Sequence, residues 1–207
     1  MTGEVMGGDG AVLLEELEKA ETAGLAGHTV VLVEGVSDQR AIEALARRRE
    51  RDLETEGVAV IPTAGATNIG RFLDLLGPNG HDVSLAGLCD KGEEAEFGRA
   101  VEGAGIGAVT DRADLESFGF YVCEIDLEDE LVRALGAATM VDLIESQGHL
   151  RRFRSFQNQP AQRHKTIEAQ IWRWLGNHKI RYAPLMVDAL EPDRVPSPLL
   201  GVLGRLG

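Results

Sequence analysis

The sequence is short of several things at once. It has two cysteines, Cys89 and Cys123, in 207 residues, and neither belongs to a C-x-x-C pair. A multi-disulfide framework and a thiolate zinc site are therefore excluded, and two buried free thiols are expected. The five histidines (His28, His81, His149, His164, His178) form no H-x-x-x-H pair, which removes the usual nitrogen-rich zinc centre. No apolar run approaches the ~18 residues of a membrane span, so no membrane contact is expected. The opening stretch MTGEVMGGDG lacks the basic-then-apolar order of a signal peptide. Residues 1–10 read as a flexible leader, and the expected location is the cytoplasm. No G-x-x-x-x-G-K-[ST] occurs, so the sequence offers no nucleotide site.

What is present is globular. Hydrophobic residues make up 43% and charged residues 27% of the chain, enough for one buried core. The net charge of −13 argues against nucleic acid only until its distribution is read. Residues 1–145 hold 11 Lys or Arg against 30 Asp or Glu, whereas residues 146–187 hold eight basic side chains against the single Glu168. Two accounts stand: the basic segment docks on the acidic part, or it meets phosphates while the acidic part holds cations.

Strand-then-helix patterns repeat four times. The run TVVLV (29–33) is apolar throughout, as a parallel strand covered on both faces would be. A helix is expected to follow over 38–50, capped by Ser37. The strands VAVIP (58–62), VSLAGLCD (83–90) and FGFYVCEID (118–126) each lead into a helical pattern, and a helix at 11–23 precedes them all. After Gly136 the pattern is helical only. The expected architecture is an α/β domain over 11–136, with a mainly parallel four-stranded sheet flanked by helices, followed by a helical, basic C-terminal extension over 137–207.

Ligands gather at the carboxyl ends of parallel strands, and acid stands there in three of the four. Glu34 ends the first, with Asp38 one helical turn on; Asp90 ends the third, with Glu93 and Glu94 beyond; Asp126 and Glu128 end the fourth. Each has a plain alternative: Asp38 and Glu128 complement a helix dipole, and Asp90 caps a turn. Glu34 resists such an account, because a charge directly after VVLV is partly desolvated and wants a partner. Together these acids would repel one another without a cation, and oxygen-only ligands suit Mg²⁺ or Mn²⁺.

The strand ending in Glu34-Gly35, the acidic end at Asp90 and the order of elements resemble the TOPRIM fold shared by topoisomerases, primases and the overcoming lysogenization defect (OLD) nucleases. Asp38, the D-L-E at 126–128 and a K-x-x-x-A at 179–183 are most similar to the OLD nucleases. The resemblance covers roughly residues 28–190 and implies a Rossmann-like fold with a two-metal, phosphodiester-cleaving site. Glu34 and Asp90, with Asp38 nearby, would hold one ion, and Asp126 and Glu128 would help to hold the other. Lys179 would steady charge on the phosphate, making Glu34 and Lys179 the catalytic pair. DNA is the implied substrate, with RNA an alternative. Exposed cations for its backbone are sought at Arg151, Arg152, Arg154, Arg163, Lys165 and Arg181, interleaved with Phe153 and Phe156. The OLD nucleases also carry an ATPase domain, so the resemblance implies a stand-alone TOPRIM protein or one paired with a separate ATPase; a homodimer is left open.

The sequence departs from this family at one place: the second acid, expected two positions after Asp90, is Gly92. Glu93 can substitute, or Lys91 can take a cation's place. Two other readings follow. One is a TOPRIM module that binds nucleic acid without cutting DNA, or that processes RNA. The other is a receiver-like signalling domain that accepts a phosphoryl group at Asp90.

Overall fold

The computed structural model describes residues 8–206; the expected leader lies outside them apart from Gly8, Asp9 and Gly10. Four strands, β1 (Thr29–Val33), β2 (Val58–Pro62), β3 (Leu85–Asp90) and β4 (Phe120–Cys123), form one wholly parallel sheet in the order β2-β1-β3-β4. The chain leaves β1 toward β2 on one side, while β3 and β4 are laid down on the other. The topological switch point therefore falls between β1 and β3, where a parallel sheet opens its crevice. Glu34 follows β1 directly and Asp90 closes β3, so the two acids flank that crevice.

Alternation along β1 explains its unbroken apolarity. Val30 and Leu32 face one core while Val31 and Val33 face another, and all four are fully buried. The first core lies under α1 (Gly8–Leu25), α3 (Ile69–Leu76), α4 (Glu94–Gly103) and the six-residue α5 (Arg112–Ser117). The second lies under α2 (Val36–Arg48), α6 (Leu127–Leu135), α7 (Ala137–Ser146), α8 (Leu150–Gln157), α9 (Ile167–Leu175), α10 (Lys179–Ala189) and α11 (Ser197–Arg205). The C-terminal helices thus share one core with α2 and the sheet. Arg48 donates to the carbonyls of Val187 and Leu190, and Arg51 to those of Leu203 and Leu206, tying down the ends of α10 and α11. Among the described residues no helix is long and apolar enough to cross a membrane.

Some element ends shift by two or three residues from the expected ones, β3 starting at Leu85 and β4 at Phe120, and two of the shifts bear on the site. The helix after β1 begins at Val36, not after Ser37, because Gly35 enters it in an extended conformation and Asp38 Oδ2 accepts the Gly35 N–H at 3.0 Å. Ser37 lies within the first turn and is buried. Strand four ends at Cys123, three residues before Asp126. Asp126 instead caps α6, its Oδ1 accepting the Asp129 N–H at 2.7 Å, because a short polar side chain at that position satisfies an otherwise orphaned amide. The two cysteines are free and buried, as expected.

Candidate metal centre

Glu34 is held from behind. The loop after β2 returns so that Thr63 N–H donates to the Val33 carbonyl at 2.8 Å and Gly65 N–H to the Glu34 carbonyl at 3.3 Å. Ala64 accepts a left-handed φ of 55° to make that return, and Gly65 follows at 109°. The loop Thr63-Ala64-Gly65 therefore fixes the backbone of Glu34.

Asp90 and the single turn Lys91–Glu93 close the other side. One carboxylate oxygen each from Glu34, Asp90 and Glu93 lies within 4.8 Å of the others. None of the three forms an ion pair among the described residues, and Glu93 Oε2 is buried with no hydrogen-bond partner. Lys91 does not enter: it is exposed, with its ammonium 3.8 Å from Glu124. Burial, and then the charges of Glu34, Asp38 and Asp126, push Asp90 up to about 8. Burial and Glu34 push Glu93 up to about 7. Three crowded carboxyls, one with an orphaned oxygen, offer an all-oxygen donor set that could hold a divalent cation.

A second group of acids stands beside the first, and it has a cation. Lys179, the first residue of α10, places Nζ 2.7 Å from Glu128 Oε2 and 3.6 Å from Asp126 Oδ2. Glu128 is 2% exposed, and its other oxygen, Oε1, has no partner. Trp172 on α9 donates its indole N–H to Asp126, 2.9 Å from each carboxylate oxygen. Asp38 is pushed up to about 7, first by burial and then by Glu128. Burial disfavours the Lys179 ammonium, but the bond to Glu128 and the charges of Glu128, Asp126 and Asp38 outweigh it, so the amine is held well above its ordinary value. Glu34, Asp38, Asp90, Glu93, Asp126, Glu128 and Lys179 thus share one electrostatic neighbourhood, whereas Glu94 pairs with Arg112. No motif marks Trp172 in the sequence; the one local signal is that Trp172 and Trp174, two apart on a helix, face different ways, Trp174 into the core and Trp172 toward Asp126.

The basic segment is not consumed by the acidic part. Arg151, Arg152, Arg154, Arg163, Lys165 and Arg181 are all exposed, and none makes an ion pair among the described residues. Gln170 orders the loop carrying two of them, donating to the Gln162 and Lys165 carbonyls at 2.9 and 3.3 Å. The aromatics between the arginines are a different matter. Phe153 is fully buried and Phe156 packs partly against the same core, so neither is a platform for a base. His178 stacks on Trp174 with centroids 4.2 Å apart, and its Nδ1 lies 2.9 Å from the Trp174 carbonyl oxygen.

Residues 27–91 match the family model for the overcoming lysogenization defect protein-like TOPRIM domain. A platinum-phased structure of the C-terminal region of the OLD protein of Xanthomonas campestris pv. campestris is similar to this chain with a TM-score of 0.68 and 22% identity, covering 86% of this chain and 91% of that one. The C-terminal region of the Burkholderia pseudomallei OLD protein is similar at a TM-score of 0.63 and 23% identity, covering 86% and 96% respectively. No curated protein matches. Residues 27–91 thus resemble an OLD-like TOPRIM domain, and the α/β fold of the chain is similar to that of the OLD C-terminal region.

Proposed function

We propose that this protein is a Mg²⁺- or Mn²⁺-dependent nuclease that hydrolyses DNA phosphodiester bonds. The observation that carries this reading is the triad Glu34, Asp90 and Glu93, three carboxyls within 4.8 Å of one another, none of them in an ion pair among the described residues. The donor set fits a hard divalent ion, since every ligand is oxygen and the buried Glu93 Oε2 lacks a partner. Glu34, Asp90 and Glu93 would hold one ion; Asp126, Glu128 and Asp38 would hold a second in competition with the Lys179 ammonium. Divalent ions held there would supply Lewis-acid chemistry, polarising a phosphodiester and making a water more acidic.

The chain's own groups do the remaining work. The Thr63–Gly65 loop holds Glu34 at the crevice, and Trp172 orients Asp126. Lys179 keeps its charge and stands where a phosphate approaching the acids would meet it. The exposed arginines of α8 and the following loop bind the polynucleotide backbone without reading sequence.

Supercoiled plasmid incubated with the protein in Mg²⁺ or Mn²⁺ is expected to be nicked or linearised. Glu34→Gln and Asp126→Asn should each abolish this with an unchanged circular dichroism spectrum. Cleavage that persists in EDTA sinks the reading.

One observation favours a second reading, a module that binds nucleic acid without cutting it: Lys179 already neutralises Glu128 and Asp126. Retention of DNA or structured RNA without hydrolysis in either metal would select it.

A further inference from the structure

The carboxylates have an apolar rim that metal chemistry leaves unused. Seven large hydrophobic side chains are exposed among the described residues, and three of them adjoin the site. Val36 follows Glu34-Gly35, Ile125 precedes Asp126 and Ile180 follows Lys179, with exposures of 39%, 55% and 57%. Aliphatic residues scattered singly over a surface need no explanation, but three flanking one cluster of acids do.

Two of the three also line a cavity of about 650 Å³ between the first turns of α2 and α10, together with Ser37, His178, Lys179 and Arg181. No acid lines it. Arg181 is exposed and unpaired among the described residues, and both helices turn their N-terminal ends toward the cavity, which adds to its preference for anions. The groove is therefore aliphatic with one cation unpaired among the described residues, Arg181, beside the paired Lys179, and its Val36 wall follows Glu34-Gly35 in the chain. Intact duplex offers such a surface phosphate, sugar and groove edges but no base faces, because these are stacked on one another. An unpaired strand offers phosphates and free base faces together, and aliphatic side chains serve as wedges at unstacked steps.

We propose that this groove binds an unpaired polynucleotide strand, with phosphates at Arg181 and Lys179 and bases against Val36 and Ile180, the strand running on past the exposed Ile125 outside the groove. The site then acts on single-stranded, flapped or frayed nucleic acid in preference to intact duplex. This rests on reading the acids as a phosphodiester site, and the test is arranged so that the two fail separately.

Binding is measured by fluorescence anisotropy on the full chain in EDTA, where nothing is cut. The probes are a labelled DNA strand of about 16 nucleotides, the same sequence as blunt duplex, a forked duplex, and the strand as RNA. The wild type should prefer the single strand and the fork over blunt duplex about tenfold, a preference that unstacked bases on a contact surface can supply. The Val36→Ser/Ile180→Ser double variant, with an unchanged circular dichroism spectrum, should bring that ratio toward one, and Ile125→Ser should lower it in part. DNA and RNA strands bound alike would support the groove as a site for either polynucleotide. Equal wild-type affinity for strand and duplex overturns the proposal. So does a ratio unmoved in the double variant, including the case in which the substitutions change only the oligomeric state. Absence of cleavage when metal is supplied would count against the nuclease reading and leave this binding preference standing.

Discussion

Lys179 Nζ lies 2.7 Å from Glu128 Oε2, joining the first turn of α10 to the first turn of α6 beside the carboxylate triad. Glu128 is almost wholly desolvated while Lys179 keeps a 40% exposed side chain, so the carboxylate depends on the ammonium more than the reverse. Removing the cation leaves a buried charge unpaired, which is the costly way to break such a pair.

Lys179→Met should accordingly destabilise the metal-free protein by about 2 kcal/mol, below the full cost of a wholly buried pair because water reaches the lysine. Chemical denaturation in EDTA measures it. Adding Glu128→Gln should recover most of the loss, since both halves of the pair are then neutral. A single variant as stable as wild type would show that Glu128 finds another partner.

Stability without metal should fall as pH rises. Asp38, Asp90 and Glu93 have folded-state values of about 7, 8 and 7, above the range near 4 of an unfolded carboxyl. The folded state therefore holds more protons than the unfolded state between roughly pH 4 and 8, so its stability declines across that window as the three groups are forced to ionise. Melting temperatures in EDTA at pH 5.5, 7 and 8.5 should descend, and Asp90→Asn should flatten the slope. Excess Mg²⁺ or Mn²⁺ should reverse it, because a cation favours the ionised acids.

Glu93 carries the triad where Gly92 cannot. Glu93→Gln should weaken Mn²⁺ binding on the order of tenfold by calorimetry. A Cβ added at Gly92 meets nothing within 4 Å, and this glycine is not among those with positive φ, so Gly92→Asp should fold normally. In the Glu93→Gln background it should restore part of the affinity. No recovery would mean that position 92 points away from the ion.

The unpaired arginines should show themselves through salt. Each phosphate contact removed lowers the slope of log affinity against log salt by about 0.9 on duplex DNA. Arg151→Ala/Arg152→Ala should therefore weaken binding and reduce that slope by up to about 1.8, without altering the plasmid sites cut. An unchanged slope would place the DNA elsewhere.

Much of the fold is legible locally. TVVLV is buried on both faces because the strand lies between two helical layers, and β-branched residues without polar alternation say as much. The same kind of reading extends the fourth strand to Asp126, although the chain turns at Glu124 so that Asp126 can cap α6. Short apolar runs mark a strand's existence better than its end, since a cap depends on one side chain finding one amide. Phe153 and Phe156 show the same limit: arginines on either side of them suggested a nucleic-acid surface, whereas helical spacing turns the rings inward and the charges outward.

By itself the sequence determined that several acids follow apolar strands, that a lysine arrives late among arginines, and that the chain divides electrically in two. Those are properties of adjacent residues. Which acids meet was decided by the sheet order, because β2-β1-β3-β4 opens the crevice between Glu34 and Asp90, and by the turn that brings Glu93 to them past Gly92. The packing of α9 and α10 over α6 then gave Asp126 its indole partner 46 residues away and Glu128 its lysine 51 residues away. Contacts of that kind depend on how elements pack and where their side chains point, which no local periodicity encodes.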